Sequence, residues 1–233
     1  MSLPPIRRPL LWGFTLSGRR LMRRHFNAVR VLGEVRPGDP GIAPAIVVMN
    51  HPSWWDPLTA LVLARGPLFG RTHYAPIEAK QLSRYRVFAS LGFFGVDASA
   101  AGARAFLSTS LAICASPRAT LWVTAQGRFS DPRERPVALL PGVGRLASRL
   151  SGGVVWPLAV EYPFWTERVP EALVHWGRPL AIESGRSAEG WTAAISAELA
   201  GAMDRLAAAS LARDATAFTT LLAGRRARHG VAP

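Results

Sequence analysis

The chain has one cysteine, Cys114, in 233 residues. That excludes an internal disulfide and a cysteine metal cluster, and it fits a reducing, cytoplasmic setting. Lysine is equally scarce. Lys80 stands alone, and arginine supplies the rest of a formal net charge of +13. No run of about 18 uncharged apolar residues occurs, so no spanning helix is predicted. The first apolar run is broken by Ser17, Gly18, Arg19 and Arg20, unlike a cleaved signal peptide. No group of histidines, cysteines and carboxylates has metal-ligand spacing, and no metal is predicted. A Gly-x-Ser-x-Gly motif is missing, which argues against a serine hydrolase built on a nucleophile elbow. Gly92 and Gly95 are too few for a nucleotide-binding loop.

Hydrophobic residues make up 49% of the chain, enough for one sizeable core at this length. The positive excess implies an anionic partner: nucleic acid, an anionic bilayer or a phosphate-bearing substrate. Arginine richness alone also follows from a GC-rich genome, so the distribution of charge matters more than its sum. Placed on a helix over residues 6–32, Leu10, Leu11, Phe14, Leu21, Met22, His25, Phe26 and Val29 recur at three- and four-residue steps on one side. Arg7, Arg8, Arg19, Arg20, Arg23, Arg24 and Arg30 fill the flanks and the far side, and Trp12 is available as an anchor. This is the pattern of a basic amphipathic helix in a membrane interface. Pro9 sits near the start, where proline is tolerated, while Gly13 and Gly18 weaken the helix or allow a bend. An ordinary surface helix packed on the core and a nucleic-acid-binding helix compete with that reading. No helix-turn-helix, zinc-finger or RNA-binding aromatic signature accompanies the stripe, and no nucleic-acid partner is expected.

Further along, residues 35–43 are turn-rich, and the apolar run 45–49 reads as a fully buried strand. Helices are expected at 58–63, 83–91, 100–115 and 142–150, and strands at 74–79, 119–124, 153–161 and 172–176. Residues 92–97 form a short apolar segment ending in Asp97. From about 187 to 228 the pattern is an alanine-rich helical region with a basic tail, Arg225 to His229. Strands alternating with helices predict an α/β single domain, a mostly parallel or mixed central sheet flanked by helices, after the N-terminal basic amphipathic helix. The expected divisions are a membrane-associating segment at 1–40, an α/β core at 41–185 and a C-terminal helical region at 186–233.

Chemistry points to Asn50-His51-Pro52-Ser53-Trp54-Trp55-Asp56-Pro57. His51 follows the buried strand, where α/β proteins tend to keep their sites, and Asp56 lies five positions on. On a regular helix those positions point about 140° apart, so the two side chains meet only across a turn. Pro52 fixes its own φ and biases His51 toward extended geometry, which suits such a turn. A histidine held in one tautomer by an acid is a base for an attacking hydroxyl, with no serine or cysteine nucleophile required. The competing reading is a partly buried histidine in a strand-to-helix turn. Trp54 and Trp55 shape an acyl or acceptor groove, anchor at a lipid interface, or are core. His73 and His175 are isolated and read as structural, and Asp131, Arg133 and Glu134 as a solvated loop.

The spacing resembles the H-x4-D motif of the glycerolipid acyltransferases, the lysophosphatidic acid acyltransferase family. Further blocks follow in that family's order. Lys80 and then Gly92-Phe93-Phe94-Gly95-Val96-Asp97 stand where the family has a lysine segment and a glycine-rich stretch ending in acid then arginine; here Ala98 replaces the arginine, and Arg104 is the nearest downstream. Thr124-Ala125-Gln126-Gly127-Arg128-Phe129-Ser130 is similar to the Phe-Pro-Glu-Gly-Thr-Arg-Ser motif that helps bind the acceptor phosphate. Gly127 and Ser130 match, Gln126 replaces the glutamate, and the arginine moves to Arg128. Pro141 to Ala147, Val154 to Val160 and Trp176 to Leu180 resemble later family segments, so the likeness covers roughly residues 45–180.

That resemblance implies transfer of a fatty acyl group from acyl-CoA or acyl carrier protein (acyl-ACP) to a hydroxyl of a lysophospholipid, glycerol phosphate or related lipid. His51 would be the general base and Asp56 its orienting acid. Lys80, Gln126, Gly127, Arg128 and Ser130 are the expected substrate-binding residues, with no bound cofactor and no metal. The implied partners are an anionic membrane surface, a lipid acceptor and a thioester donor, at the cytoplasmic face of the membrane. Gln126 cannot hold an arginine by an ion pair as glutamate would. The phosphate clamp is then rebuilt from Arg128, Arg133 and Arg135 or the acceptor is altered; drift in a structural loop is the other explanation. A non-catalytic lipid- or membrane-binding protein on the same fold is the alternative function.

Overall fold

The computed structural model describes residues 3–225. The run Ala-Ile-Val-Val-Met that precedes His51 is strand β2 (Ala45–Met49), buried at every position. Burial on both faces needs layers on both sides, and the structure supplies them. Ile46 and Val48 pack in one cluster with the helices α4 (Ala100–Cys114), α5 (Gly142–Ala147) and α6 (Ala188–Ala212). Ala45, Val47 and Met49 face the other way, toward Leu63 and Ala64 of α2 (Asp56–Ala64), and α1 (Arg8–His25) packs beyond α2. A strand whose two faces are both covered carries continuous apolar residues rather than alternation.

Among the described residues the other strands are β1 (Ala28–Leu32), β3 (Thr72–Glu78), β4 (Phe93–Val96), β5 (Ala119–Thr124), β6 (Val154–Glu161), β7 (Ala172–Trp176), β8 (Leu180–Ala181) and β9 (Phe218–Ala223). They form one mixed sheet in the order β4-β3-β5-β2-β6-β7-β1-β9, with β8 paired to β6. The strands β4, β3, β5, β2 and β6 run parallel, so their C-terminal ends share one edge. From β2 the chain leaves to α2 on one face, and from its neighbour β5 it leads to α5 on the other. Adjacent strands whose connections part to opposite faces open a crevice at their C-terminal ends. Residues 50–56 and 125–130 stand at that crevice.

An α/β single domain with a mixed sheet and an N-terminal helix is what the sequence predicts, and the structure has that architecture. Several boundaries differ. The N-terminal helix ends at His25, and Ala28–Leu32 enters the sheet between β7 and β9, so Val29 is a strand residue and not part of a helical stripe. The C-terminal region is helical only to Ala212; Phe218–Ala223 then runs antiparallel to β1. Segments 1–40 and 186–233 thus each give a strand to the sheet of the core. The basic tail beyond Arg225 lies outside the described residues. The expected helix at 83–91 is α3 (Ala79–Arg84) followed by a 3-10 turn at Arg86–Ser90, and the one at 142–150 stops at Ala147.

Packing explains α1. Thr15, Gly18 and Met22 are its buried residues. A Cβ at Gly18 would lie 2.9 Å from Leu61 Cδ2 of α2, so this glycine permits close helix crossing rather than a bend. Leu10, Trp12, Leu16 and Leu21 remain exposed among the arginines. In α6, Trp191, Ile195, Leu199, Met203 and Leu206 form a buried stripe at helical spacing against the sheet. Leu63, wholly buried between α2 and the sheet, shows what such contacts contribute: truncation to alanine would cost about 2–5 kcal/mol.

Candidate active site

His51 and Asp56 meet across the turn that joins β2 to α2. Pro52 and the following residues carry the chain around, and Asp56 opens α2 as its first residue. The imidazole Nδ1 stands 2.5 Å from Asp56 Oδ2. The Asp56 side chain is 1% exposed and that of His51 is 20% exposed, so the carboxylate sits behind the imidazole and the imidazole faces the crevice. The second carboxylate oxygen, Oδ1, accepts the Tyr162 hydroxyl at 2.8 Å. Having spent its proton there, Tyr162 Oη accepts from Thr59 Oγ1 at 2.9 Å. The Ser53 backbone N–H adds a longer bond to Oδ2 at 3.3 Å.

Electrostatics follow from burial. Loss of water pushes the Asp56 carboxyl above its ordinary range, opposed by the hydrogen bonds from His51 and Tyr162 and by the N–H of Ser53. The Tyr162 phenol is pushed well above its usual value by its own burial, then by the charge of Asp56 beside it. Tyr162 therefore remains a neutral donor to the carboxylate. With Asp56 ionised, the imidazole carries its proton on Nδ1 and leaves the Nε2 lone pair open. Among the described residues Nε2 has no hydrogen-bond partner.

The backbone around His51 is fastened from both neighbouring strands. Asn50, 1% exposed, donates from Nδ2 to Val160 O at 2.9 Å, and its Oδ1 accepts the Val160 N–H at 2.7 Å, which ties the end of β2 to β6. On the other side the Gln126 Oε1 accepts the His51 N–H at 3.1 Å, and the Ser130 N–H donates to His51 O at 2.9 Å. Gln126 is buried and turned toward this backbone. Gly127 adopts φ +69°, the left-handed region that favours glycine, and turns the loop under Leu140. Phe129 lies against the imidazole with ring centroids 4.3 Å apart. Ser130 Oγ is buried without a partner.

The charged residues expected at the site are placed differently. Arg128 is ion-paired with Glu134 on its own loop, Arg133 binds Asp131 through Nε and Nη2 at 2.9 and 2.7 Å, and Arg135 pairs with Asp204 of α6. Each arginine of the expected phosphate clamp thus has a carboxylate partner. Lys80 is exposed on α3 and makes no side-chain hydrogen bond among the described residues. It stands at the C-terminal end of β3, separated from β2 by β5, which puts it about 10 Å to the side by strand spacing. Arg104, exposed on α4, follows the edge strand β4, three strands from β2. Four contributors went unnoticed in the sequence: Tyr162, Thr59, Asn50 and Phe129. Only Asn50 and Phe129 had a local signal, as neighbours of motif residues.

His51 lines neither of two surface clefts. One, of about 280 Å³, lies between Glu34, His175, Trp176, Arg178 and Arg205, and the other, of about 420 Å³, lies beside α3. Among the described residues no three histidine, cysteine or carboxylate side chains come together as a metal site, and no helix is long and apolar enough to cross a membrane.

No protein-family model matches the chain, and no curated protein matches it. Among solved structures, its fold resembles the crystal structure of the 1-acyl-sn-glycerophosphate (LPA) acyltransferase PlsC from Thermotoga maritima. The TM-score is 0.59 at 16% sequence identity, over 85% of this chain and 80% of that one. A likeness at that identity establishes a common fold.

Proposed function

We propose that the protein is an acyltransferase that moves a fatty acyl group from acyl-CoA or acyl-ACP to a hydroxyl of a lipid acceptor. The observation that carries this reading is the 2.5 Å His51–Asp56 contact, with a buried acid behind the imidazole and Nε2 open in front. Nε2 takes the acceptor's hydroxyl proton as the oxygen adds to the thioester carbonyl carbon. Asp56 stabilises the imidazolium formed. When the tetrahedral intermediate collapses, the C–S bond breaks and the leaving thiolate recovers the proton from Nε2–H. Ester and thiol leave; no covalent acyl-enzyme is needed. The shared fold with an LPA acyltransferase supports the same reaction class.

The acceptor belongs to the lysophospholipids, glycerol phosphate or related lipids, and we propose that it departs from lysophosphatidic acid. Gln126 holds the His51 backbone instead of an arginine, and Arg128, Arg133 and Arg135 are each paired with a carboxylate. Lys80 and Arg128 are the candidate contacts for anionic groups of donor or acceptor, and Arg128 must exchange Glu134 for the substrate to serve. The exposed Trp12 and Leu16 of α1, among its arginines, support peripheral attachment to an anionic membrane, at the cytoplasmic face.

The test is acyl transfer by wild type and His51→Ala with acyl-CoA or acyl-ACP and a panel of lipid hydroxyl acceptors, read by mass spectrometry. Product from wild type, and none above background from an equally stable H51A, is expected. Wild-type rates in H51A would rule out the mechanism, and no product from wild type with any acceptor would favour a lipid-binding role. Preference for lysophosphatidic acid over every other acceptor would defeat the altered-acceptor idea.

A further inference from the structure

Three aromatic side chains on loops at the edge of the sheet that carries His51 stand largely in water: Trp54 at 60%, Phe129 at 58% and Phe164 at 63% exposure. They sit on the loops that leave β2, β5 and β6, which are neighbours in the sheet, so the loops start about 4.8 Å apart. Exposed aromatics clustered on one edge are uncommon on a soluble surface and mark a place of contact.

Charge indicates the partner. Residues 1–33 hold seven arginines and no carboxylate. The last turn of α1 carries Arg23, Arg24 and His25, and His25 packs 5.4 Å from Trp55. Trp55 in turn stacks on Trp54 at 4.1 Å. The basic end of α1 is therefore continuous with the aromatic edge. Aromatic side chains flanked by exposed arginines match the headgroup layer of a bilayer, where ring and cation each find their own depth.

We propose that Trp54, Phe129 and Phe164 form a rim that enters the bilayer interface and opens His51 directly onto it, with the basic end of α1 set on the lipid headgroups. The proposal rests on the lipid-acceptor reading of the site and adds an orientation to it. An acceptor then reaches Nε2 from the membrane, its chains remaining in lipid, and the site needs no enclosed acyl pocket. The opposite edge offers an internal control. Ile42 and Phe69 are each 72% exposed there, at the N-terminal ends of β2 and β3, and Arg65 covers Phe69 at 5.9 Å.

Co-sedimentation of the full chain with phosphatidylcholine vesicles in 0.5 M NaCl isolates apolar insertion from headgroup attraction, since screening suppresses the latter (roughly 4–5 Å Debye length). Wild type should bind. W54S/F164S should bind at least tenfold more weakly, as an aromatic ring moved from water is worth roughly a tenfold factor or more. I42S/F69S should bind within twofold of wild type. No binding by wild type would overturn the proposal. Undiminished binding by W54S/F164S, or an equal loss in I42S/F69S, would overturn it as well. Binding is read without turnover, so H51A should bind like wild type, and a failure of the catalytic reading leaves these outcomes legible.

Discussion

His51 and His73 stand on one sheet with opposite surroundings. His73, on β3, is level with Ala45 through their common partner Thr120, whereas His51 lies past the end of β2, about 20 Å further along. At His51 the ring meets a buried carboxylate on one side and solvent on the other. Among the described residues no carboxylate bonds the His73 ring. Nδ1 accepts the Trp122 indole N–H at 3.1 Å, and burial, aided by the charge of Arg71, pushes the imidazole down to about 4. His73 is thus fixed as a neutral acceptor. His175 shares that fate more mildly: its Nδ1–H donates to Leu32 O at 3.0 Å, its Nε2 accepts from Arg205 at 3.2 Å, and burial lowers its pKa. An acid behind the ring and an open nitrogen in front separate a candidate base from a structural histidine; the residue type does not.

The sharpest way to break this contrast is to remove each ring in turn. His51→Ala should lower acyl transfer by about 10³-fold or more, the upper range for a general base, while His73→Gln should stay within about twofold. Equal losses in steady-state rate would dissolve the distinction.

The acid behind His51 comes next. Asp56→Asn should reduce kcat by about 10²–10³-fold, because an amide neither fixes the tautomer nor stabilises the imidazolium. Burial raises the Asp56 carboxyl pKa, so the ionised group is held against its preference. Urea unfolding at pH 7 should therefore place D56N within about 1 kcal/mol of wild type. A large loss of stability with normal kcat would make Asp56 structural.

His73 predicts a pH effect on stability rather than on rate. Its pKa is about 4 when folded and near 6.5 when unfolded, so the unfolded chain binds the extra proton between those values. Stability should fall as pH drops from 6.5 through 4, by up to about 3 kcal/mol from this one group. His73→Gln, which keeps an acceptor for Trp122, should remove that share of the slope in urea titrations. An unchanged slope would contradict the assignment.

The smallest effect belongs to Tyr162, a positioning residue that acts through Asp56. Tyr162→Phe should lower kcat about tenfold with little change in KM, as one hydrogen bond to a charged group is lost. The groups facing Asp56 are His51, Tyr162, Thr59 through Tyr162, and the Ser53 N–H. Loss of the phenol donor destabilises the carboxylate, so the His51–Asp56 pair holds its proton more tightly. The acidic limb of the kcat/KM profile should then move to higher pH. A drop in kcat with an unmoved limb would reduce Tyr162 to packing.

Local pattern carried much of the fold. β2 was legible because five consecutive apolar residues mean burial on both faces, and β5 and β7 because β-branched and aromatic runs were bounded by turns. β1 and β9 escaped because Ala28–Leu32 follows a helix without a strong break and Phe218–Ala223 follows an alanine-rich one. Each pairs with residues nearly 200 positions away in the other terminus, a contact that no window of sequence contains. Gly18 read as a weak point of α1 because a lone glycine shows the loss of a Cβ and not the Leu61 that fills its place.

What the sequence determined by itself was the pair His51 and Asp56. Both lie within one turn, and Pro52 with the buried strand before it left few ways for them to meet. The tertiary structure decided which parts of the chain surround that pair. It brought Tyr162 to Asp56 from 106 residues away and Gln126 to the His51 backbone from 75. It also gave Arg128, Arg133 and Arg135 to nearby carboxylates. The physical reason is that a turn is set by local dihedral preferences, whereas burial, and with it the state of an acid or a histidine, depends on which distant strands lie alongside.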